Sequence, residues 1–329
     1  MSGPSFQYSR AANVHDALIQ ASRPGTSFLA GGTDLLQLWK AGAIAPAAVV
    51  DISRLPLDHV GFIDGQLSLG ALARLSDVAA HPDVTRYHPL IASAILASAS
   101  GQIRNMATVG GNLLQRTRCP YFRGERLACN KRLPGSGCGA LGGENRQAAL
   151  FGASESCVAT HASDLAVALS ALGAEVEVVG AEGERRFPLR DLYRLPAEPP
   201  ERDTNLTAGE LVTGIRIPNA SRFAARSSYL KIRDRASFEF AVVSVAAVLH
   251  IENGRIVEAG LAAGGVAPLP WRLTRSEAVL VGRAPDAQAI AAAADIAVEH
   301  ARPLAHNGFK ITLLRNAVIR SLQTIGGQP

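Results

Sequence analysis

Apolar positions along this chain change period several times, and each change predicts an element. Asn13 is a helix cap placed ahead of Val14, Ala17, Leu18 and Ala21, which recur at helical spacing. Strand-like TSFLAGG follows, then helical DLLQLWKAG and strand-like VVDIS, so residues 4–60 read as an α/β opening. Residues 59–70 form short apolar runs around Asp64-Gly65, a pair suited to a type I′ hairpin turn. A second helix is predicted over 90–99. Further on, HASDLAVALSALG reads as a helix and AEVEVVGAEGERRFPLRDLY as a hairpin with a turn. RLPAEPPERDTNLTAG is a polar, Pro-rich excursion, and ELVTGIRIP is a strand ended by Pro218.

Beyond residue 220 the pattern becomes long β segments, with an Asn253-Gly254 turn between AVVSVAAVLHI and RIVEAGLA. Helices are expected near 274–281, 286–301 and 309–323. The expected organisation is therefore a first domain over 1–220 and a second over 221–329, a sheet with helices packed on it. No internal repeat is visible. Residues 115–157 show no periodicity, and an irregular stretch of that length inside a compact domain needs a reason to be ordered.

Composition narrows the class. A chain of 329 residues exceeds one ordinary core and implies two or three domains. With 47% hydrophobic and 19% charged residues it is globular rather than disordered. The net charge of +5 raises nucleic-acid binding, but the basic residues are dispersed. Their densest patch is Arg116, Arg118, Arg123, Arg126, Lys131 and Arg132, and it coincides with cysteines. No apolar run reaches the ~18–20 residues that span a bilayer. The opening MSGPSFQYSRAANVHD has no signal-peptide core. The chain thus reads as a cytoplasmic product, exported, if at all, folded beside a partner that carries a leader.

Two glycine pairs carry candidate chemistry. In Phe28-Leu29-Ala30-Gly31-Gly32-Thr33-Asp34-Leu35 a strand ends at the pair and a helix begins. Such a turn brings backbone close to a ligand and offers free N–H groups to phosphate. It is equally the pattern of a tight strand-to-helix turn. In Ala107-Thr108-Val109-Gly110-Gly111-Asn112-Leu113 the pair is followed by an amide side chain. Neither loop is a Walker sequence or G-x-G-x-x-G, which argues against a P-loop or a Rossmann site. The cysteines number four, Cys119, Cys129, Cys138 and Cys157, all within the irregular stretch. Three readings compete for them. Disulfides need an oxidising compartment. A zinc site usually shows C-x2–4-C pairs, which are absent. A [4Fe–4S] cluster needs four thiolates and tolerates wide spacing. The glycines at 135, 137, 139, 142 and 143 would let a loop fold tightly around such a core. His59 and His161 stand alone, Glu239 has no assignable role, and no hydrolytic triad or HExxH pattern appears.

FLAGGTDLL and ATVGGNLL, in that order and about eighty residues apart, resemble the FAD-binding subunits and domains of the xanthine dehydrogenase family of molybdenum hydroxylases. The family includes medium subunits of aldehyde oxidoreductases, carbon monoxide dehydrogenase and 4-hydroxybenzoyl-CoA reductase. The likeness runs over nearly the whole chain and includes Ser163-Asp164 and Lys231 in YLKIRDRASFEFA. It implies an α+β fold: a two-subdomain FAD-binding domain of the vanillyl-alcohol-oxidase type, then a C-terminal α+β domain. It also implies that Phe28, Leu29, Ala30, Gly31, Gly32, Thr33, Asp34 and Leu35 form one pyrophosphate loop and that Thr108, Gly110, Gly111 and Asn112 form the other. Asp164 matches an acid near the ribityl or adenosine portion, and Lys231 a lysine at the isoalloxazine edge. Ser98 stands where the family has an aromatic residue, a departure that affects cofactor packing.

The cysteines interrupt the family pattern at about 115–158, where most relatives have a short link. The interruption resembles the cluster-binding loop of 4-hydroxybenzoyl-CoA reductase and, more closely, of bacterial periplasmic aldehyde oxidoreductases. What the resemblance implies is an oxidoreductase subunit that carries FAD and a [4Fe–4S] cluster on Cys119, Cys129, Cys138 and Cys157. Its expected partners are a large subunit with molybdenum cofactor and a small subunit with [2Fe–2S] clusters, in a heterotrimer. Aldehydes would be oxidised to carboxylic acids in the large subunit. The periplasm is the expected location and the cytoplasm the alternative. Competing readings are a 4-hydroxybenzoyl-CoA reductase-like or xanthine dehydrogenase-like subunit, a stand-alone flavin oxidoreductase, and a zinc-stapled scaffold or nucleic-acid binder.

Overall fold

The computed structural model describes residues 6–196, 200–218 and 221–327. The boundary expected at 220 and part of the Pro-rich excursion lie outside them. Three sheets divide the described chain. Strands β1 (Gln7–Arg10), β2 (Thr26–Leu29) and β3 (Ala48–Asp51) form a parallel sheet in the order β1-β3-β2. Its crossovers are the helices Val14–Ala21 and Leu35–Lys40. Asn13 caps the first of these as expected, its Oδ1 accepting from the Asp16 N–H at 2.9 Å.

Strands β4 (Val60–Ile63), β5 (Gln66–Gly70), β6 (Glu175–Gly180), β7 (Gly183–Pro188) and β8 (Leu211–Ile217) form an antiparallel sheet in the order β4-β5-β8-β6-β7. Ile63 pairs with Gln66, and Asp64 and Gly65 have φ of 51° and 74°, the geometry of a type I′ turn. Between β5 and β6 lie several helices, among them Leu75–Ala80, Pro82–Tyr87 and Pro89–Ala97. The first two of these escaped the periodicity reading because each is about two turns or less. The irregular stretch contains only single-turn helices, at Pro120–Arg123 and Gly139–Gly142.

Strands β9 (Ser227–Ile232), β10 (Val243–Glu252), β11 (Arg255–Gly264) and β12 (Trp271–Arg272) form the last sheet, in the order β12-β11-β10-β9. Its long apolar runs have a simple cause. Val245, Ala247, Leu249, Leu261 and Ala263 face a core shared with the C-terminal helices. Ala246, Val248 and Ala262 face a second core shared with helix Asp164–Ala171. Both faces are buried, so the two-residue period is hidden beneath hydrophobicity on each side. The C-terminal helices are Thr274–Leu280, Ala287–Ile296 and Phe309–Gly326. The second ends five residues before the expected 301, because the chain breaks into turns after its C-cap Ala297.

Helix Asp164–Ala171 is the centre of the fold, with every residue buried. It packs so closely on β11 that a Cβ at Gly260 would lie 2.2 Å from the Ala171 carbonyl oxygen. The α+β architecture expected from the sequence is therefore present, with two sheets before residue 218 and one after it.

Lys310 anchors the end of the insertion to the last sheet. It is fully buried, and its ammonium donates to the carbonyls of Ala148 at 2.9 Å, Gln147 at 3.4 Å and Gly265. Burial lowers its pKa to about 7. The unfolded chain then binds that proton more tightly than the folded one, so stability rises with pH from about 7 towards the ordinary lysine value of 10.5. Lys310→Met is expected to flatten this part of the stability curve, read from thermal midpoints at pH 7 and pH ~9.5. An unchanged slope would assign the rise, if present, to other groups.

Candidate functional site

The two glycine loops come together because the chain leaves no room for side chains between them. A Cβ on Gly31 would stand 1.9 Å from the carbonyl oxygen of Met106, just before the second loop. Arg74 pins that same carbonyl through Nη1. Gly32 has φ of 71°, a left-handed conformation that suits glycine.

The loops use their backbones differently. In the second, Thr108 caps the short helix Val109–Leu113, with its Oγ1 accepting from Gly111 N–H at 3.2 Å. The N–H groups of Val109 and Gly110 donate to the carbonyls of Ala73 and Ala71 at 3.0 and 2.8 Å. Those three donors are spent inside the protein. In the first loop no described residue accepts from the N–H groups of Gly32, Thr33 or Asp34. The free donors for an anion are thus in the first loop, while the second presents glycine surface and the Thr108 and Asn112 side chains.

Both loops line one cavity of about 510 Å³. Phe28, Ala30, Gly31, Gly32, Thr33, Asp34, Leu35, Thr108, Gly110 and Gly111 border it. Leu29 does not; its carbonyl accepts from Ile52 N–H at 2.9 Å. The cavity is also lined by Thr26, Ile44–Pro46 and Glu210–Val212, which the sequence did not single out as site residues. Thr26 Oγ1 is buried there without a partner. A second cavity, of about 400 Å³, adjoins the first across Thr33, Asp34, Gly111 and Gln115, which line both. Asn112, Asp164, Ser98 and Phe240 border this second cavity.

Three of the expected residues do more than face these cavities. Asn112 Oδ1 accepts from Ser163 Oγ at 2.6 Å, joining the second loop to the start of helix Asp164–Ala171. Asp164 accepts from Lys231 Nζ at 2.8 Å and Tyr229 Oη at 2.6 Å. Burial and the adjacent Asp164 carboxylate raise the Tyr229 phenol well above its usual range. Lys231 also donates to the Ala97 carbonyl at 3.1 Å and lies behind Asp164, outside the residues that line the second cavity. Its placement here is that of a counter-ion to Asp164 rather than of a direct wall residue. Asp34 likewise turns away from the first loop's free donors. Its carboxylate accepts from Arg118 at 2.6 Å, Arg123 at 2.8 Å and the Arg116 N–H at 2.8 Å, which ties the first loop to the irregular stretch.

That stretch is ordered by polar ties. The Arg132 guanidinium donates to the carbonyls of Tyr121, Phe122, Glu125 and Leu127. Cys129 and Cys138 face each other as an isolated antiparallel bridge, and Ser136 Oγ accepts from Cys129 N–H at 3.1 Å. Cys119, Cys129, Cys138 and Cys157 all border one small cavity, with Lys131 beside them. Among the described residues no three His, Cys, Asp or Glu side chains converge at single-ion spacing. Burial raises the Cys119 thiol and pushes Cys157 up to about 11, with the Lys131 ammonium pulling Cys157 the other way.

The surrounding charge is more committed than the sequence implied. Arg118 and Arg123 pair with Asp34, while Arg116 and Lys131 pair with Asp203. The Arg116 and Lys131 cations hold the Asp203 carboxyl below its usual range against the opposing effect of burial. Of the six basic residues in the patch, Lys131 is the one that borders the thiol cavity.

Comparison with known proteins places this geometry. Residues 4–220 match the FAD binding domain in molybdopterin dehydrogenase, and residues 228–325 match the CO dehydrogenase flavoprotein C-terminal domain. The chain is 44% identical to the aldehyde oxidoreductase FAD-binding subunit PaoB of Escherichia coli (strain K12), over 95% of this chain and 96% of that one. It is 28% identical to the glyceraldehyde dehydrogenase medium chain of Sulfolobus acidocaldarius, over 85% and 82%. Its fold superposes on a chain of reconstituted CO dehydrogenase from Oligotropha carboxidovorans with a TM-score of 0.77, at 22% identity and full coverage of both chains.

The buried Asp164–Lys231 pair yields a stability test. Asp164→Ala and Lys231→Met each leave a buried charge without its partner, and each is expected to cost about 3–5 kcal/mol. The double substitution should cost clearly less than the sum, as read by denaturant unfolding. Additive losses would mean that the two groups do not act as a pair.

Proposed function

Because this chain belongs to the FAD-binding subunits of the molybdenum hydroxylases, we propose that it is the electron-transfer subunit of an aldehyde oxidoreductase that also carries a [4Fe–4S] cluster. The observation that carries the FAD placement is the pair of adjoining cavities bordered by both glycine loops. The free N–H groups of Gly32 and Thr33 suit the pyrophosphate. The cavity at Thr26 and Glu210–Val212 suits the adenosine end. The part bordered by Asn112, Asp164 and Phe240 suits the isoalloxazine end, with Lys231 acting through Asp164. FAD supplies two-electron redox chemistry that can also proceed by single electrons. The chain's own task is to bind it, fix its orientation and exclude water around it.

Four thiols around one cavity are the donor set of an iron–sulfur cluster, and Cys119, Cys129, Cys138 and Cys157 would hold it. Such a cluster would supply one-electron chemistry. Lys131 would offset part of its negative charge. The backbone N–H groups of a glycine-rich loop can donate to its sulfurs. The similarity to PaoB supports the aldehyde assignment. Substrate oxidation would then occur in a molybdenum-cofactor partner, with a [2Fe–2S] partner relaying electrons, in a heterotrimer. Export to the periplasm would depend on a leader-bearing partner.

Purification of the chain with its partners is expected to give flavin absorbance at about 450 nm, and iron and acid-labile sulfide at about four of each per chain beyond those of the partner. Gly31→Ala should lose flavin, because its Cβ collides with the Met106 carbonyl, and should lower the iron content less than the flavin content, since among the described residues the loop is hydrogen-bonded to the insertion only through Asp34. Cys157→Ala should lose the iron while flavin still binds. Zinc in place of iron, or flavin unaffected by Gly31→Ala, would overturn the corresponding assignment.

A further inference from the structure

Two cations of the insertion close on a segment that lies outside it. The segment is 200–203, at the end of the Pro-rich excursion. Lys131 Nζ donates to the Pro200 carbonyl at 2.9 Å and to Asp203 Oδ1. Arg116 donates through Nη2 to the Glu201 carbonyl at 2.9 Å and through Nε to Asp203 Oδ2. The segment is also held from behind, since the Asp203 carbonyl accepts from Arg194 N–H at 2.9 Å and Thr204 bridges Tyr193.

Both cations stand near the thiols. Lys131 borders the cavity ringed by Cys119, Cys129, Cys138 and Cys157. With Asp203 it also borders a second space, of about 20 Å³, that shares Cys157 with the first. The Arg116 guanidinium lies 4.9 Å from the centroid of Phe122, a ring that packs in one cluster with Cys119 and Cys129. One carboxylate thus serves two cations, and two positive charges against one negative leave one positive charge unmet. The Lys131 side chain is only 6% exposed, so water does little to balance it. A buried ammonium is costly unless an opposite charge meets it. Holding the segment does not need this second cation, because Arg116 alone binds both Asp203 and a carbonyl of 200–203. An anionic group in the thiol cavity is the counter-charge that the arrangement lacks.

Resting on the cluster reading above, we propose that the Lys131–Asp203 pair sets the reduction potential of the iron–sulfur cluster. Lys131 is the tuning charge, and Asp203 is the positioning residue that aims it and masks part of it. Reduction adds one electron to the cluster core, with no bond broken and no proton moved, so the reduced form is the more negative. A fixed cation nearby favours that form and raises the potential, while a carboxylate that masks the cation lowers it. Burial of Lys131 keeps the effect from being screened by salt. The two residues therefore act in opposite directions although they share one contact, which a packing role does not produce.

The test is a mediated dithionite titration of the holoenzyme with its partners, after iron and acid-labile sulfide have been counted. Dithionite supplies the electron, and the fast-relaxing EPR signal of the reduced [4Fe–4S] core, distinct from those of the partner's [2Fe–2S] clusters, gives the midpoint. Lys131→Met is expected to lower the reduced-to-oxidised ratio at a fixed potential about tenfold, a fall of about 59 mV for one electron. Asp203→Asn is expected to raise that ratio at least about threefold. Lys131→Arg, which keeps the charge, should stay within about twofold of wild type. Unmoved midpoints in variants that retain iron, or shifts of the same sign in Lys131→Met and Asp203→Asn, overturn the proposal. Should Lys131→Met lose its iron, the direction of the Asp203→Asn shift decides. Loss of iron from both variants assigns the pair to holding the loop and overturns the tuning role. A wild-type holoenzyme with no iron beyond that of its partners would instead overturn the cluster reading itself.

Discussion

A carboxylate buried at the end of a buried helix must be paired, and Asp164 shows what that requirement does to the rest of the molecule. Its partners Tyr229 and Lys231 come from β9, and Lys231 continues to the carbonyl of Ala97 at the end of helix Pro89–Ala97. Arg233 donates to the same carbonyl at 3.1 Å. Three elements from both halves of the chain thus meet at one ion pair. Loss of either partner leaves a charge in a poorly solvated place, so the junction is specified more tightly than apolar packing alone would do. Because Asp164 also borders the cavity assigned to the flavin end, the same pair that joins the domains fixes a functional wall.

The insertion follows a different principle. Its first part buries little of its own, with small clusters around Phe122 and Ala140, while Leu150 and Phe151 near its end join the core of the last sheet. Order comes from guanidinium groups used as multivalent ties: Arg132 gathers four carbonyls, and Arg118 and Arg123 close on Asp34. Arginine suits this use because its planar fork loses less freedom per hydrogen bond than a lysine would. The basic patch near the cysteines is therefore chiefly scaffolding, and Lys131 is left as the local charge beside the thiols.

How far the sequence spoke depended on whether a feature was local. Gly31 and Gly32 were legible because a steric need for glycine shows in the residue itself, and the Asn253-Gly254 and Asp64-Gly65 turns were legible for the same reason. The gathering of four distant cysteines was legible from their confinement to one stretch. Lys231 was legible as a position but not as a geometry, since only the folded chain shows it behind Asp164. Nor does the GG pattern reveal that Val109 and Gly110 spend their N–H groups on Ala73 and Ala71, which makes two similar loops unequal. Thr26 carried no signal and Arg118 only that of a basic patch, because an unpartnered buried atom exists only after tertiary structure forms.

Asp34 makes the loop and the insertion one thermodynamic unit. Its carboxylate offsets part of the charge of Arg118 and Arg123, and both belong to the segment leading into the thiol cavity. A group that orders the insertion therefore lowers the cost of holding the first glycine loop in place. By linkage, a ligand on that loop must favour the ordered insertion by the same factor. The coupling needs no movement across the fold, since the connection is a single side chain with partners on each side. The insertion is thus part of the architecture of the first glycine loop as well as the candidate place for a second redox group.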